Sequence, residues 1–190
     1  LTLNIGGAED FDFSSNGDIG NLISTVVIAE DGKLTIAAGA ISGETVSGGG
    51  SITVIDVVSG TDLSGVNPAQ GVTATVADGV NLSTGTQLAT IDNLTLQAGA
   101  DVTLTIAQHN KINAATGDNT VTLSGVGTAV GNAAVESYQL ADGTNTFTTN
   151  AVGQIVTGGT GGDTITGVAG NDTIIGGGGA DTIKGGTGED

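Results

Sequence analysis

The chain contains no cysteine, so it has neither a disulfide framework nor a thiolate metal site. Tryptophan is also absent, and aromatic residues make up only 2% of the 190 residues, which argues against a core built around large side chains. The hydrophobic 37% is mainly Ile, Leu, Val and Ala, and these residues suit stacked coils with a narrow interior. Thr and Val favour strands, and 35 glycines suit many tight turns.

Positive charge is nearly absent. The chain has 20 acidic residues but only three lysines and no arginine, which gives a net charge of −17. Phosphate backbones and anionic membrane surfaces would be repelled, which argues against nucleic acid as a partner. Carboxylates at this density repel one another in a compact fold unless cations neutralise some of them, and oxygen ligands select hard cations such as calcium. A solvated acidic surface is the alternative. We predict such a solvated edge for Glu9, Asp10 and Asp12.

The sequence has no apolar run of membrane-spanning length and no recognisable signal peptide. Its first residue is Leu1 rather than methionine, and residues 185–190 stop in the middle of a repeat. We therefore expect a segment of a longer protein that does not insert into the membrane.

Residues 158–190 repeat a nonapeptide without a gap. The copies are GGTGGDTIT (158–166), GVAGNDTII (167–175), GGGGADTIK (176–184) and the incomplete GGTGED (185–190). Each copy has an aspartate at its sixth position, and each complete copy has an isoleucine at its eighth. A flexible glycine-rich linker has no reason to keep this period, so we interpret the segment as structured.

The same register continues upstream in weakened form. Steps of nine back from Ile165 reach three candidates for inward-facing positions, Val156, Phe147 and Tyr138. Steps of nine back from Asp163 reach three polar residues without the full glycine frame, Gln154, Asn145 and Glu136. We therefore predict a solenoid turn at residues 143–148 without a strong ion site.

Farther upstream, short strand-like tripeptides recur at irregular intervals. They are Leu34-Thr35-Ile36, Ile52-Thr53-Val54, Ala74-Thr75-Val76, Leu94-Thr95-Leu96, Leu104-Thr105-Ile106 and Val121-Thr122-Leu123. A parallel β-solenoid with coils of about twenty residues explains their spacing, and a β-sandwich with long strand pairs is the alternative. We expect at most a short helix, at residues 62–70 or 131–140.

The nonapeptide pattern G-G-x-G-x-D-x-U-x, with U a large aliphatic residue, resembles the RTX repeats of proteins secreted by Gram-negative bacteria. The resemblance is strong for residues 158–190, weak for residues 136–157 and says nothing of residues 1–130. It implies that six residues of each repeat form a calcium-binding turn and three form a strand. It also implies that two repeats complete one turn of a right-handed β-roll, and that export follows type I secretion.

The predicted fold class is therefore all-β, a right-handed parallel β-solenoid or β-helix that ends in a calcium-binding RTX β-roll. We predict two domains. Residues 1–135 form an irregular Thr/Ala/Gly-rich β-solenoid, with the β-sandwich as alternative. Residues 136–190 form the RTX-type β-roll, whose regular repeats at 158–190 are truncated at the C-terminus.

The residue types of the repeats suit calcium for physical reasons. Glycine permits positive φ, so the backbone can curl and aim carbonyl oxygens inward, while aspartate supplies negative charge. One turn has too few oxygens for calcium, so turns must combine their ligands. With two repeats in each coil, residues 158–163 pair with residues 176–181, and residues 167–172 pair with residues 185–190.

Calcium is the predicted cofactor, and Asp163 with Asp181 are the first predicted side-chain ligands, followed by Asp172 and Asp190. The glycines predicted to shape the turns and to place ligand carbonyls are Gly158, Gly161, Gly167, Gly170, Gly176, Gly179, Gly185 and Gly188. Val168 replaces a glycine, so we expect a slightly weaker turn there. An affinity of about 0.1–1 mM, common in extracellular modules, would leave the roll disordered in calcium-poor cytosol and ordered outside.

Catalytic motifs are missing. The sequence has neither HExxH nor GxSxG, and Lys33, Lys111 and Lys184 are widely separated with no arginine to support a lyase site. His109 has no second histidine or cysteine with which to bind a transition metal, and we predict a coil-edge position for it. We therefore predict that the segment is not an enzyme.

The predicted function is that of a calcium-stabilised structural segment of a secreted bacterial surface protein, in a surface layer, filament or adhesin, that self-assembles or extends on the cell surface. Its expected partners are calcium ions and copies of itself or neighbouring repeats, with a surface glycan or lipopolysaccharide as a further candidate. One alternative is an adhesin module that binds glycan, ice or a host surface. Thr-x-Thr patterns at residues 73–75 and 103–105 could form the flat threonine ladder of an ice-binding solenoid. Another is an accessory secretion or folding domain of an RTX exoenzyme.

Overall fold

The computed structural model describes residues 2–7, 10–14, 24–85, 88 and 90–190. The chain divides into two compact units, residues 1–95 and residues 96–190. In each unit, short parallel strands stack in register as a β-solenoid, which confirms the predicted fold class, and the β-sandwich alternative is wrong. Among the described residues, no helix is long and apolar enough to cross a membrane.

The first unit is built from two parallel sheets. Its elements are β1 (Thr2–Ile5), β2 (Asp10–Phe13), β3 (Thr25–Ile28), β4 (Lys33–Ala37), α1 (Ala38–Ile41), β5 (Thr45–Gly48), β6 (Ser51–Val57), β7 (Val72–Val76) and β8 (Asn93–Leu96). One sheet has the order β1-β3-β5, and the other contains the run β8-β7-β6-β4-β2.

The coils of the first unit differ in length but keep one inward face. Leu3 pairs with Val26 and Leu34 pairs with Ile52, so the step between coils varies from 23 to 18 residues. Apolar side chains alternate with threonine along β4 and β6, and Leu34 and Ile52 are almost fully buried. The alternation therefore gives these strands an aliphatic inner face and a mainly polar outer face.

The second unit has a more regular step. Its elements are β9 (Asp101–Leu104), α2 (Ile106–His109), β10 (Ile112–Ala114), β11 (Thr120–Leu123), β12 (Thr128–Val130), β13 (Ser137–Gln139), β14 (Thr146–Thr148), β15 (Ile155–Thr157), β16 (Thr164–Thr166), β17 (Thr173–Ile175) and β18 (Thr182–Lys184). The two sheets have the orders β17-β15-β13-β11-β9 and β12-β14-β16-β18. From β12 onward, successive strands alternate between the sheets, so two strands make one coil.

The nine-residue register is confirmed in the second unit. Tyr138 pairs with Val156 and Phe147 pairs with Ile165, so residues 18 positions apart stack on one another. All four side chains are at most 2% exposed. The register follows from the sequence period because each nonapeptide contributes one strand.

The domain boundary predicted at residue 136 lies inside the second unit, whose first residue is Leu96. β11 and β13 pair across residue 136 through Val121 and Tyr138. Within this stack, residue 136 marks a change of sequence pattern rather than a break in the strand pairing.

The two helical turns lie outside the ranges predicted for a helix, and those predictions are wrong. Residues 62–70 form turns and isolated bridge positions, and β13 lies within residues 131–140. Thr105 instead begins α2, because its hydroxyl accepts the Gln108 N–H at 3.2 Å while its own N–H donates to Gln108 Oε1 at 2.9 Å. The strand predicted at residues 104–106 therefore ends at Leu104.

His109 is buried, so its predicted coil-edge position is wrong. Its Nε2 lies 3.0 Å from the Tyr138 hydroxyl, which accepts the Asn132 N–H at 2.7 Å. The hydroxyl proton can then point to Nε2, and Nδ1 faces Asn110 Oδ1 at 3.3 Å. This pattern assigns a neutral imidazole with its proton on Nδ1. Burial lowers the pKa of His109, against a smaller opposing effect of Asn110.

We expect acidification from about pH 7.5 to about pH 5.5 to lower the free energy of unfolding in saturating calcium. Because burial lowers the His109 pKa in the fold, the unfolded chain binds the proton more tightly. Stability that is complete above the unfolded pKa of about 6.5 is therefore lost as the pH falls towards the folded pKa. Urea denaturation at each pH measures the slope.

The matched variant for this experiment is His109→Gln, which removes the only histidine of the chain. No other side-chain type has its ordinary pKa in this window, so the variant should lose most of the slope. The same slope in both proteins would contradict the role given to His109.

Candidate metal centre

A glycine-rich turn follows each of the last four strands of the second unit, β15, β16, β17 and β18. In chain order, these are the first turn (158–163), the second turn (167–172), the third turn (176–181) and the fourth turn (185–190). A backbone bridge between Thr160 and Gly178 joins the first turn to the third, and a bridge between Ala169 and Thr187 joins the second to the fourth. The structure therefore brings together the turns that the sequence analysis paired.

Glycine is needed in these turns for two different reasons. The fourth residue of each turn has a positive φ, which side chains disfavour, at Gly161 (133°), Gly170 (95°), Gly179 (115°) and Gly188 (150°). The first residue of each turn instead lies against the aspartate Oδ2 of its own turn, at Gly158, Gly167, Gly176 and Gly185. A Cβ on Gly158 would collide with the Gly176 carbonyl oxygen and lie 2.6 Å from Asp163 Oδ2.

Asp163 uses one carboxylate oxygen to hold the preceding coil. Its Oδ1 accepts the backbone N–H of Asn145 at 2.8 Å and the side-chain amide of the same residue at 3.0 Å. Asp181 repeats the contact one coil later, where its Oδ1 accepts the Asp163 N–H at 2.9 Å. A buried hydrogen bond to a charged acceptor contributes about 1.5–3 kcal/mol, so Oδ1 of Asp163 has a structural role.

The other carboxylate oxygen of Asp163 has no protein partner. Oδ2 is buried without a hydrogen bond, and the residue is 1% exposed. The Gly176 carbonyl oxygen reaches the same space beside Gly158. A buried carboxylate oxygen that faces a carbonyl oxygen and no N–H group is costly unless a cation is nearby.

Asp172 holds the other side of the stack in a similar way. Its Oδ1 accepts the Gln154 N–H at 2.8 Å, and Asp190 Oδ1 accepts the Asp172 N–H at 3.0 Å. Its Oδ2 differs from that of Asp163, because it accepts the Thr149 hydroxyl at 3.0 Å. The second turn thus already has one neutral donor at the oxygen that faces Gly167.

These residues fit a calcium ion. In the part of the chain that the structure describes, no three His, Cys, Asp or Glu side chains converge on one point. A site here would therefore combine a carboxylate such as Asp163 with backbone carbonyls such as that of Gly176, all of them oxygen ligands that calcium prefers. When bound, calcium would supply the positive charge that these oxygens lack. The four aspartates as ligands stay a prediction.

Val168 fits the second turn without backbone strain. Outside glycine, the described residues with positive φ are Asp31 and Asp56, so Val168 is not among them. Its side chain is 43% exposed, and its N–H donates to the Thr149 hydroxyl at 3.0 Å. The backbone therefore gives no reason for the weaker turn that we expected.

The acidic edge near the start of the chain has ordinary surface contacts. Glu9 lies outside the described residues. Asp10 Oδ1 lies 3.6 Å from Lys33 Nζ with both side chains largely exposed, and Asp12 accepts the Ser14 N–H at 2.8 Å. The hydrogen bonds from Ser14 lower the pKa of Asp12.

We expect Gly158→Ala to raise the calcium concentration at which the repeats fold, because the new Cβ would enter the space between Asp163 Oδ2 and the Gly176 carbonyl. Overpacking of this kind costs about 1–3 kcal/mol, which shifts a midpoint roughly fivefold or more. Gly178→Ala is the matched control, since φ there is not positive and the nearest atom to its Cβ is 3.8 Å away. Circular dichroism during a calcium titration measures both midpoints, and equal midpoints would remove the role assigned to Gly158.

Comparison with known proteins agrees with this geometry. The family model for the RTX calcium-binding nonapeptide repeat (4 copies) matches residues 157–190. No curated protein and no solved structure matches the chain. The matched range begins one residue before the predicted repeats, contains all four turns, and supports calcium as the cofactor. Residues 157–190 are therefore RTX calcium-binding nonapeptide repeats.

Proposed function

We propose that the chain is a calcium-stabilised structural segment of a secreted bacterial surface protein, which extends or self-assembles on the cell surface in a surface layer, filament or adhesin. The observation that carries this proposal is the in-register stack of short parallel strands with calcium-type turns between them. Such a stack is quasi-one-dimensional, so further coils can extend it. An edge strand of a stack offers unpaired backbone groups to another chain or coil.

Stacking buries the apolar interior of a coil. Ile165 pairs with Phe147 on one side and with Ile183 on the other, and it is 0% exposed. Full burial of such a side chain contributes about 1.5–3 kcal/mol. Each further coil, from neighbouring repeats or from a second copy, would gain a contribution of this kind together with a new row of backbone hydrogen bonds.

Charge makes such stacking sensitive to calcium. The net charge of −17 opposes the approach of two copies, and bound calcium reduces that repulsion. Calcium also orders the turns from which the edge strands begin. The same ion would therefore control both folding and assembly.

A location outside the cell belongs to the proposal. RTX repeat proteins are typically secreted. Type I secretion as the route and the cell surface as the destination suit a stack that is unfolded in calcium-poor cytosol and folds outside.

We propose a binding and structural role without catalysis. His109 faces the Tyr138 hydroxyl and Asn110, inside the second unit rather than in an open cleft. The acidic residues of the described ranges do not gather in threes with one another or with His109. These contacts support a segment whose polar groups hold coils and ions.

A ligand-binding adhesin module is the second candidate, and an exposed threonine ladder favours it. Four exposed threonines align in register on the outer face of one sheet, Thr128, Thr146, Thr164 and Thr182. Their hydroxyls repeat at the strand spacing of about 4.7–4.9 Å, which suits a repetitive ligand such as a glycan or ice. The patterns predicted for this role fit less well, since Thr105 caps α2 while Thr73 and Thr75 are half-buried.

Sedimentation velocity with and without calcium tests the proposed assembly. We expect calcium to fold the repeats and to produce species larger than a monomer that grow with protein concentration and dissociate in chelator. Asp163→Ala/Asp181→Ala should remain monomeric, because it removes the contacts that order the first and third turns. A protein that folds with calcium but stays monomeric at high concentration would contradict the proposed assembly. Binding to a glycan array or to ice would then support the second candidate.

A further inference from the structure

We infer that side-chain amides take the place of calcium in the coils that precede the RTX repeats, so that calcium dependence begins at Asp163. The residues concerned are Asn119, Asn145 and Gln154, all of which precede the matched range 157–190. Each is buried, with 0%, 5% and 1% exposure respectively. The inference depends on the calcium-binding repeats and not on assembly at a cell surface.

Asn145 occupies the position of Asp163 one coil earlier, 18 residues before it. Its Nδ2 donates to the carbonyl oxygens of Ala141 at 2.8 Å and Gly143 at 2.9 Å, and its two hydrogens are shared with Asp163 Oδ1 at 3.0 Å. Two carbonyls of this turn are therefore satisfied by a neutral N–H donor. The turn needs no cation to neutralise them.

The first turn has the same backbone positions but a different side chain. Gly159 lies against the Ala141 carbonyl and Gly161 lies against the Gly143 carbonyl, which places the two turns one above the other. At the sixth position, Asp163 has an oxygen, Oδ2, that cannot donate and that has no partner. Replacing an amide nitrogen by a carboxylate oxygen thus converts a self-satisfied turn into one that requires a cation.

Asn119 contacts both the preceding coil and the carbonyls of its own turn through one side chain. Its Oδ1 accepts the backbone N–H of Ala100 at 2.8 Å, as the Oδ1 of Asp163 does for the coil before it. Its Nδ2 donates to the carbonyl oxygens of Thr116 at 3.0 Å and Gly117 at 2.9 Å. The oxygen holds the preceding coil, and the nitrogen satisfies the turn.

Gln154 lies on the side of the stack that contains Asp172, and its amide nitrogen satisfies carbonyls of the preceding coil rather than of its own turn. Its backbone N–H donates to Asp172 Oδ1, which aligns the two residues one coil apart. Its Nε2 donates to the carbonyl oxygens of Asn132 at 2.9 Å and Val135 at 2.6 Å, and its Oε1 accepts the Asn150 N–H at 2.7 Å. The longer side chain therefore satisfies the turn of the preceding coil.

Together the amides place a boundary inside the second unit. Before it, protein donors satisfy the turn carbonyls around Asn119, Asn145 and Gln154, and these coils fold without metal. After it, the turns depend on calcium. β14 and β15 end the metal-free part and offer formed strands on which β16 and β17 pair. A preformed edge reduces the ordering needed for the first calcium-dependent coil.

Reciprocal substitutions in the full chain test this inference. Asn145→Asp places a carboxylate beside the Ala141 and Gly143 carbonyls. We expect one more calcium ion per chain by isothermal titration calorimetry and a lower thermal midpoint in chelator by circular dichroism. Asp163→Asn should bind one calcium ion fewer and should keep or raise the calcium-free midpoint. Thr144→Asp is the control, because it adds the same charge at an exposed neighbouring position and should change neither quantity.

Three results would overturn the inference. The first is an Asn145→Asp protein with the wild-type calcium stoichiometry or the wild-type midpoint in chelator. The second is an Asp163→Asn protein that binds as much calcium as the wild type, which stays decisive if Asn145→Asp fails to fold. A Thr144→Asp protein that matches Asn145→Asp in both quantities would also contradict it, since added charge alone would then explain the change.

Discussion

The structure depends on one contact, in which a side-chain oxygen of one coil accepts a backbone N–H of the coil before it. Parallel strands pair through their own backbone groups, but the turns between them have N–H groups that no strand faces. A carboxylate or amide supplies the acceptor. Both units contain examples. Asp92 Oδ2 accepts the Val72 N–H, Asn119 Oδ1 accepts the Ala100 N–H, and Asp163 Oδ1 accepts the Asn145 N–H, each at 2.8 Å. In these examples the N–H belongs to the first residue of a strand or to the residue just before it, so the contact ties the start of that strand to the next coil.

The same contact explains why calcium matters in only part of the chain. Each of these side chains has a second polar atom, and its chemistry decides what the turn requires. An amide nitrogen satisfies carbonyls, as in Asn145, whereas Asp163 Oδ2 is left buried without a donor. A buried unpaired charge costs several kcal/mol. Calcium at a hundredfold excess over its dissociation constant contributes about 2.7 kcal/mol per site, a large share of a total stability of about 5–15 kcal/mol. A few sites of this strength would therefore decide whether the repeats fold.

The sequence predicted the features of the fold that recur with the nine-residue period, and it missed contacts that occur only once in the chain. A period of nine predicts which residues stack, and Tyr138 over Val156 follows from counting alone. The alternation of apolar residues and threonine around Thr105 predicts a strand. In the structure, the Thr105 hydroxyl accepts the Gln108 N–H and begins a helical turn instead. His109 has no motif, and its partner Tyr138 lies 29 residues away, so its burial required the three-dimensional path of the chain. The turn at Asn145 was predicted to lack a strong ion site, but the reason, an amide aimed at two carbonyls, is visible only in the structure.

The central claim is that Asp163 holds the preceding coil with one oxygen and calcium with the other. The most direct test is a crystal structure grown with calcium, in which anomalous scattering locates the ions. We predict an ion about 2.3–2.6 Å from Asp163 Oδ2, with Oδ1 still accepting the Asn145 N–H, and no ion in the turn of Asn145. An Asp163 carboxylate without an ion, or an ion beside the Asn145 side chain, would contradict the account.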